Sequence, residues 1–173
     1  MIDKFIRTNP HLNSTYQIII DCPSLYFSAA HFLVLKETRE GLHGHNYRVR
    51  LRAQKNQLQE DMVFDFHPLK ELMKENCQRL DQKLLLPSEC PGMVARDSAD
   101  GANWEITLAD GHFSFPKKDL YLLPYQNITA ERLAHYLALQ LDKSLLERYQ
   151  FQFDQLEVTV EEAPGLFASY TLR

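Results

Sequence analysis

The stretch FSAAHFLVLKETREGLHGHNYRVRLRA, Phe27 to Ala53, decides the fold. Its second half alternates. His43, His45, Tyr47, Val49, Leu51 and Ala53 share one face, and Gly44, Asn46, Arg48, Arg50 and Arg52 share the other. Successive side chains of a strand point to opposite sides, so this is a half-buried strand of an antiparallel sheet. The first half is the end of a longer extended run, Gln17 to Leu35, rich in Ile, Tyr and Phe and interrupted by Pro23. On it Phe27, Ala29, His31, Leu33 and Leu35 fall on one face. Lys36 to Leu42 then form a hairpin loop between two neighbouring strands.

That pairing gathers histidines. His43 and His45 point the same way, about 7 Å apart at their Cα atoms. His31 on the neighbouring strand can close the set. Three neutral imidazoles leave a fourth position open on an ion, as catalytic zinc sites do, and an all-nitrogen set suits zinc better than magnesium or calcium. The same spacing also fits a buried histidine on an apolar face beside a polar turn, and spacing alone does not choose between the two.

Working outward, His67-Pro68 opens a helix with an apolar stripe of Leu69, Leu72, Met73, Cys77 and Leu80. A break follows at Pro87 to Gly92. Trp104 to Phe115 reads as a short hairpin turned at Asp110-Gly111, a type I′ signal. A second helix starts at Thr129, an N-cap, with Glu131 in its first turn and Leu133, Leu137, Leu141 and Leu145 as its stripe. Leu156, Val158, Val160 and Glu162 alternate on one face of a strand, Pro164-Gly165 turns, and Leu166 to Leu172 is the last strand. The expected fold class is α+β: an antiparallel four-stranded sheet with two helices on one face and a small extra hairpin.

Residues 1–173 read as a single domain, with 1–16 a peripheral N-terminal segment and 88–120 an insertion carrying the hairpin. Hydrophobic residues are 45% of the chain and charged residues 24%, enough for a real core. A net charge of −4 argues against a general nucleic-acid surface. The longest mostly apolar stretch, Leu25 to Leu35, is too short to span a bilayer, and the N-terminus lacks a signal-peptide h-region. Cys22, Cys77 and Cys90 form no C-x-x-C pair, and so sparse and odd a count suits a reducing compartment. The expectation is a cytoplasmic protein with no nucleic-acid or membrane partner.

Phe27 to Ala53 resembles the 6-pyruvoyltetrahydropterin synthase family, which includes 6-carboxytetrahydropterin synthase and carries F-x-x-A-H, a loop, then H-G-H-x-[FY]. Further matches follow in order: Val63-Phe64-Asp65-Phe66 to x-x-D-F, Leu80-Asp81 to L-D-H, Ile128-Thr129-Ala130-Glu131 to P-T-x-E, and Val158 to Pro164 to a strand ending in E-T-P. The resemblance implies the tunnelling fold, with the sheets of three subunits joining into a barrel and two trimers stacking into a homohexamer. It implies that His31, His43 and His45 hold Zn2+, that Glu162 anchors a pterin substrate, and that Thr129 and Glu131 belong to the same binding site. The sequence adds its own argument for Glu162, which continues an apolar face where a carboxylate is costly to bury unpaired. Alternatively the strand ends at Val160 and both glutamates are solvated.

The chain leaves the family pattern at two places. A catalytic cysteine lies four residues before H-G-H in most members, and here that position is Arg39. Cys22 is a poor substitute, since nine extended residues separate it from His31 by roughly 30 Å. The adjacent Glu40 resembles a variant branch, known from malaria-type parasites and some bacteria, with R-E-x-L-H-G-H and glutamate in place of cysteine; Phe115-Pro116-Lys117-Lys118-Asp119 resembles that branch too. The branch cuts the side chain of 7,8-dihydroneopterin triphosphate to give 6-hydroxymethyl-7,8-dihydropterin, so the resemblance implies a zinc-dependent lyase with Glu40 as general base. Glu40 can equally be one charge in the loop KETRE. Secondly, L-D-H becomes Leu80-Asp81-Gln82: Asp81 stays a candidate catalytic residue, but Gln82 cannot titrate. His67, His112 and His135 are the histidines left to supply an imidazole. Arg48, Arg50 and Arg52 face away from the triad and are expected to be solvated or to make subunit contacts. Two other activities stay open: 6-carboxy- or 6-pyruvoyl-tetrahydropterin synthase, and a pterin- or purine-binding protein without turnover.

Overall fold

The two strands of the histidine stretch pair as expected. β1 (Tyr16–His31) runs antiparallel to β4 (His43–Lys55), with His31 opposite His43 and Ala29 opposite His45. The computed structural model describes residues 15–35 and 38–173; residues 1–14 of the expected peripheral segment, and Lys36 and Glu37 of the hairpin loop, lie outside the described residues. Between β1 and β4 the loop carries a two-stranded ribbon, β2 (Val34–Leu35) with β3 (Thr38–Arg39), so the long extended run stops at His31 rather than Leu35. Cys22 to Leu25 bulge out of the β1–β4 ladder opposite Val49, and Pro23, which cannot donate to a ladder, sits in that bulge.

The sheet corrects the expectation of four antiparallel strands. It has six, in the order β11-β10-β4-β1-β5-β9, and it is mixed. β5 (Lys83–Pro87) lies parallel to β1, and β9 (Leu120–Leu123) parallel to β5. β5 was unreadable as a strand for a physical reason. Leu84, Leu85 and Leu86 are all buried, and a run buried on both faces has no alternation to betray it. β10 (Gln155–Ala163) and β11 (Leu166–Leu172) complete the other side.

Helix α1 (Phe66–Leu80) starts one residue before the expected His67, because the Asp65 side chain caps it by accepting the His67 amide at 2.8 Å. Helix α2 (Ala130–Tyr149) is capped by Thr129 Oγ1, which accepts the Arg132 amide. The apolar stripes of both helices meet Phe27, Tyr47, Leu51, Val158 and Val160 in the main core. Leu133, Leu137, Leu141 and Leu145 are fully buried there. Among the described residues no helix is long and apolar enough to cross a membrane.

A second, smaller core lies under the 88–120 region. There β6 (Val94–Asp97), β7 (Asn103–Leu108) and β8 (Gly111–Pro116) form a three-stranded sheet, one strand more than the expected hairpin. Phe32, Leu84, Leu86, Ile106, Leu108 and Leu120 pack it against the edge of the main sheet. The β7–β8 turn is Ala109-Asp110, since Leu108 already pairs with Gly111. None of these residues has positive φ, so the expected type I′ turn is not formed. The Pro164-Gly165 turn does need its glycine, at φ +84°.

Candidate metal centre

Strand pairing alone brings the three histidines together. One side-chain nitrogen from each of His31, His43 and His45 lies within 4.8 Å of the others. Gly44, between two of them, is set by packing: an added Cβ would stand 3.0 Å from the Ala29 carbonyl oxygen across the ladder. His31 is 2% exposed, and burial holds its imidazole below the ordinary histidine pKa, so it is neutral near pH 7 as a metal ligand must be.

Two ring orientations are fixed from behind. His31 Nδ1 donates to the Ile128 carbonyl at 2.9 Å, and His43 Nδ1 donates to the Gly41 carbonyl at 2.8 Å. Both bonds put the lone pair on Nε2, which is how ligating histidines are held in metal sites; on His31 that nitrogen also lies 3.3 Å from the Tyr47 hydroxyl. The donor set therefore fits a metal ion. Nothing but imidazole nitrogen is offered by the three, and that chemistry favours a transition metal over magnesium or calcium.

Glu162 joins the cluster. Its Oε1 lies 3.7 Å from His31 Nε2 and 3.8 Å from His45 Nε2, and Tyr47 donates its hydroxyl to it at 3.4 Å. A bulge explains the placement. β10 and β11 shift register by one between Glu161 and Ala163, so Glu162 is the extra residue. Its neighbour Glu161 serves the other face: Oε1 accepts the Gly165 amide, while Oε2 lies 3.7 Å from Arg48 and 3.9 Å from Arg50. Arg48 and Arg50 also pair with Asp21, and Arg52 with Glu157, so the arginine face is ion-paired within the chain and away from the triad.

A cavity of about 460 Å³ opens beside His31. Thr129, Glu131 and Glu162 line it, together with Leu33, Phe167 and Ala168. Residues read separately from P-T-x-E and E-x-P thus meet at one histidine. The Thr129 hydroxyl and the local backbone amide hold the Glu131 carboxyl below its usual pKa, so it is ionised. Two participants were missed in the sequence. Tyr47 is fully buried, and burial first, then the charge of Glu162, pushes its phenol well up, so it stays a donor. Its signal was present, on the histidine face two residues after His45. Asn127 left no readable signal; its side chain accepts the Val34 amide and donates to the Val34 carbonyl, tying the loop ribbon to the start of α2.

Other candidates lie outside that cavity, although Gln82 lines a second one, of about 510 Å³, with His45. The Asp81 carboxylate accepts the Ser28 amide at 2.8 Å, and the Gln82 amide donates to the Ser28 carbonyl at 2.7 Å. This reciprocal clamp joins the end of α1 to β1, and Gln82 adopts φ +55° to make it. His112 bonds Glu105, His135 bonds the Tyr125 hydroxyl, and His67 lies by Asp21 and Cys22; among the described residues none of the three lines the cavity at His31. Glu40 is exposed, three residues before His43.

Residues 23–173 match the sequence profile of 6-pyruvoyl tetrahydropterin synthase. The chain belongs to that family. A Methanocaldococcus jannaschii protein with the provisional name 6-carboxy-5,6,7,8-tetrahydropterin synthase is 32% identical over 149 residues, 84% of this chain and 89% of that one. A Pyrococcus abyssi protein with the same provisional name is 28% identical over 152 residues, 84% of this chain and 85% of that one. The structure superposes on Plasmodium vivax 6-pyruvoyltetrahydropterin synthase with a TM-score of 0.84, at 31% identity over 92% of this chain and 99% of that chain. The Plasmodium falciparum 6-pyruvoyl tetrahydropterin synthase gives 0.82 at 32% identity, with the same coverage. Two of the P. vivax structures are variants in which a glutamate described as the catalytic residue is replaced by alanine or by cysteine. In this 6-pyruvoyl tetrahydropterin synthase family member the three histidines cluster, and the cavity at His31 gathers Thr129, Glu131 and Glu162.

Proposed function

We propose that the chain is a zinc-dependent lyase that cuts the side chain of 7,8-dihydroneopterin triphosphate, giving 6-hydroxymethyl-7,8-dihydropterin. One observation carries the reading. Arg39, at the position of the family cysteine, is committed to Asp110, while Glu40 beside it presents a carboxylate with no hydrogen-bond partner among the described residues. The glutamate called catalytic in the P. vivax protein supports the same assignment.

His31, His43 and His45 hold the metal. Zinc bound there polarises the side-chain hydroxyls of the substrate and eases loss of their protons. Glu162 accepts the parallel N–H donors of the pterin, and Tyr47 keeps its carboxylate turned toward the triad. Thr129 and Glu131 line the same cavity and border the ring. Glu40 takes the proton of the hydroxyl on the second side-chain carbon. The bond between the first and second carbons then breaks, the outer fragment leaves as an aldehyde with the triphosphate, and a proton is added to the first carbon. Asp81 contributes by holding β1 through Ser28, not by touching this cavity. The provisional names of the archaeal relatives favour a second reading, 6-carboxytetrahydropterin synthase activity.

A homohexamer of two stacked trimers accompanies the first reading. Among the described residues the sheet has open edges at β9 and β11, and Leu166 and Phe167 at the β11 end are exposed, as subunit joining would require. The three free cysteines fit a cytoplasmic setting. The test is Glu40→Gln. It is expected to abolish turnover of 7,8-dihydroneopterin triphosphate while leaving bound zinc unchanged; wild-type turnover would sink Glu40 as the base.

A further inference from the structure

Among the described residues the three-stranded sheet β6–β8 supplies none to the cavity at His31, and Phe115 of β8 lines a second cavity with His45; the sheet also touches the loop that carries Glu40. The contact is Arg39. Its Cζ stands 5.3 Å from the ring centre of Phe32 and 5.0 Å from that of Phe113 on β8. Its Nε donates to Asp110, at the β7–β8 turn, at 3.0 Å to Oδ2 and 3.3 Å to Oδ1. Its Nη1 donates to the backbone carbonyl of Glu40 at 2.8 Å. The Arg39 side chain is only 18% exposed, against 49% for Asp110.

These contacts pin Glu40 at both ends of its backbone. Its amide donates to the Leu33 carbonyl at 2.9 Å, and its carbonyl is held by Arg39. The next carbonyl, that of Gly41, accepts from His43 Nδ1. A continuous run therefore links the hairpin tip, Arg39, the Glu40 backbone and a candidate metal ligand. A planar guanidinium stacks on aromatic rings while its fixed fork of donors reaches a carboxylate and a carbonyl, which suits it to all three contacts better than the point charge of an ammonium.

We propose that Asp110 is a positioning residue that acts through Arg39 to set Glu40 against the metal centre. This rests on the reading of Glu40 as base. A base is effective only when held in reach of its proton, and a displacement of about 1 Å can cost about 100-fold in rate. The β6–β8 sheet is then the anchor of the catalytic loop.

The test uses the zinc-loaded full chain with Asp110→Ala and Asp110→Glu. Asp110 sits on an exposed turn, so neither change threatens folding. Asp110→Ala is expected to lower kcat for 7,8-dihydroneopterin triphosphate about 10- to 100-fold, with KM and bound zinc unchanged. It should also speed hydrogen exchange at the Glu40 amide, and Asp110→Glu should restore most of kcat. Wild-type kcat in Asp110→Ala would overturn the proposal, as would unchanged Glu40 exchange. Normal turnover in Glu40→Gln would instead overturn the base reading and the catalytic part of this one, while faster Glu40 exchange in Asp110→Ala would still establish the clamp.

Discussion

Gly44→Ala is expected to damage the metal centre without touching a single ligand. The added Cβ would stand 3.0 Å from Ala29 O, a few tenths of an ångström too close to backbone, while its next neighbour, the Ala30 Cα at 3.5 Å, is in ordinary contact. Ala29 cannot retreat freely, because it pairs with His45 in the β1–β4 ladder. Overpacking of this kind costs about 1–3 kcal/mol. For a chain of this size each kcal/mol shifts Tm by about 2–4 °C, so Tm of the metal-free protein should fall by about 2–12 °C. The strain falls between His43 and His45, so zinc affinity should drop as well. The control is Gly41→Ala, where nothing lies within 4 Å of an added Cβ and φ is not positive; its stability should stay within about 0.5 kcal/mol of the parent. Melting curves in chelator and zinc titrations, both at one protein concentration, read the two effects. Equal Tm and equal zinc affinity in Gly44→Ala and Gly41→Ala would refute the argument that this glycine exists for strand approach at the triad.

Other outcomes follow from the same geometry. Glu162→Gln should raise KM for the pterin about 10- to 150-fold, the loss of a charge-assisted pair of about 1.5–3 kcal/mol, while zinc content holds; loss of zinc instead would make Glu162 a ligand rather than an anchor. Burial lowers the pKa of His31 and of His135, so protonation favours the unfolded chain: stability of the metal-free protein should be full above pH 6.5 and fall as pH drops below it, and denaturant midpoints flat from pH 7.5 to 5 would contradict this. Leu137→Ala, at a fully buried position between α2 and the sheet, should cost about 2–5 kcal/mol, read as a lower urea midpoint at unchanged slope.

What the sequence showed depended on periodicity. β4 and the histidine end of β1 were legible because one face is wet and one is dry, and the triad followed from that alternation. Both helices were legible from their stripes and from the Thr129 cap. β5 was not, because Leu84 to Leu86 are buried whichever way they point, and β9, four residues with both ends buried and the middle half-buried, has no alternation either. The turn at Asp110 was misread because Asp-Gly signals a positive φ that Ala109 to Gly111 do not use. Short motifs pointed to Glu162, Thr129 and Glu131, which line one cavity, whereas the contacts of Arg39 and Asp81 depended on long-range partners, Asp110 and Ser28, that no local pattern names.

In the proposed function the three histidines, through the metal they would hold, and Glu40 cut a pterin side chain. Its most direct test is the mass of the product formed when the zinc-loaded protein meets 7,8-dihydroneopterin triphosphate. The expected product is 6-hydroxymethyl-7,8-dihydropterin, absent when zinc is removed. A 6-carboxy or 6-pyruvoyl product, or binding with no product at all, would contradict it.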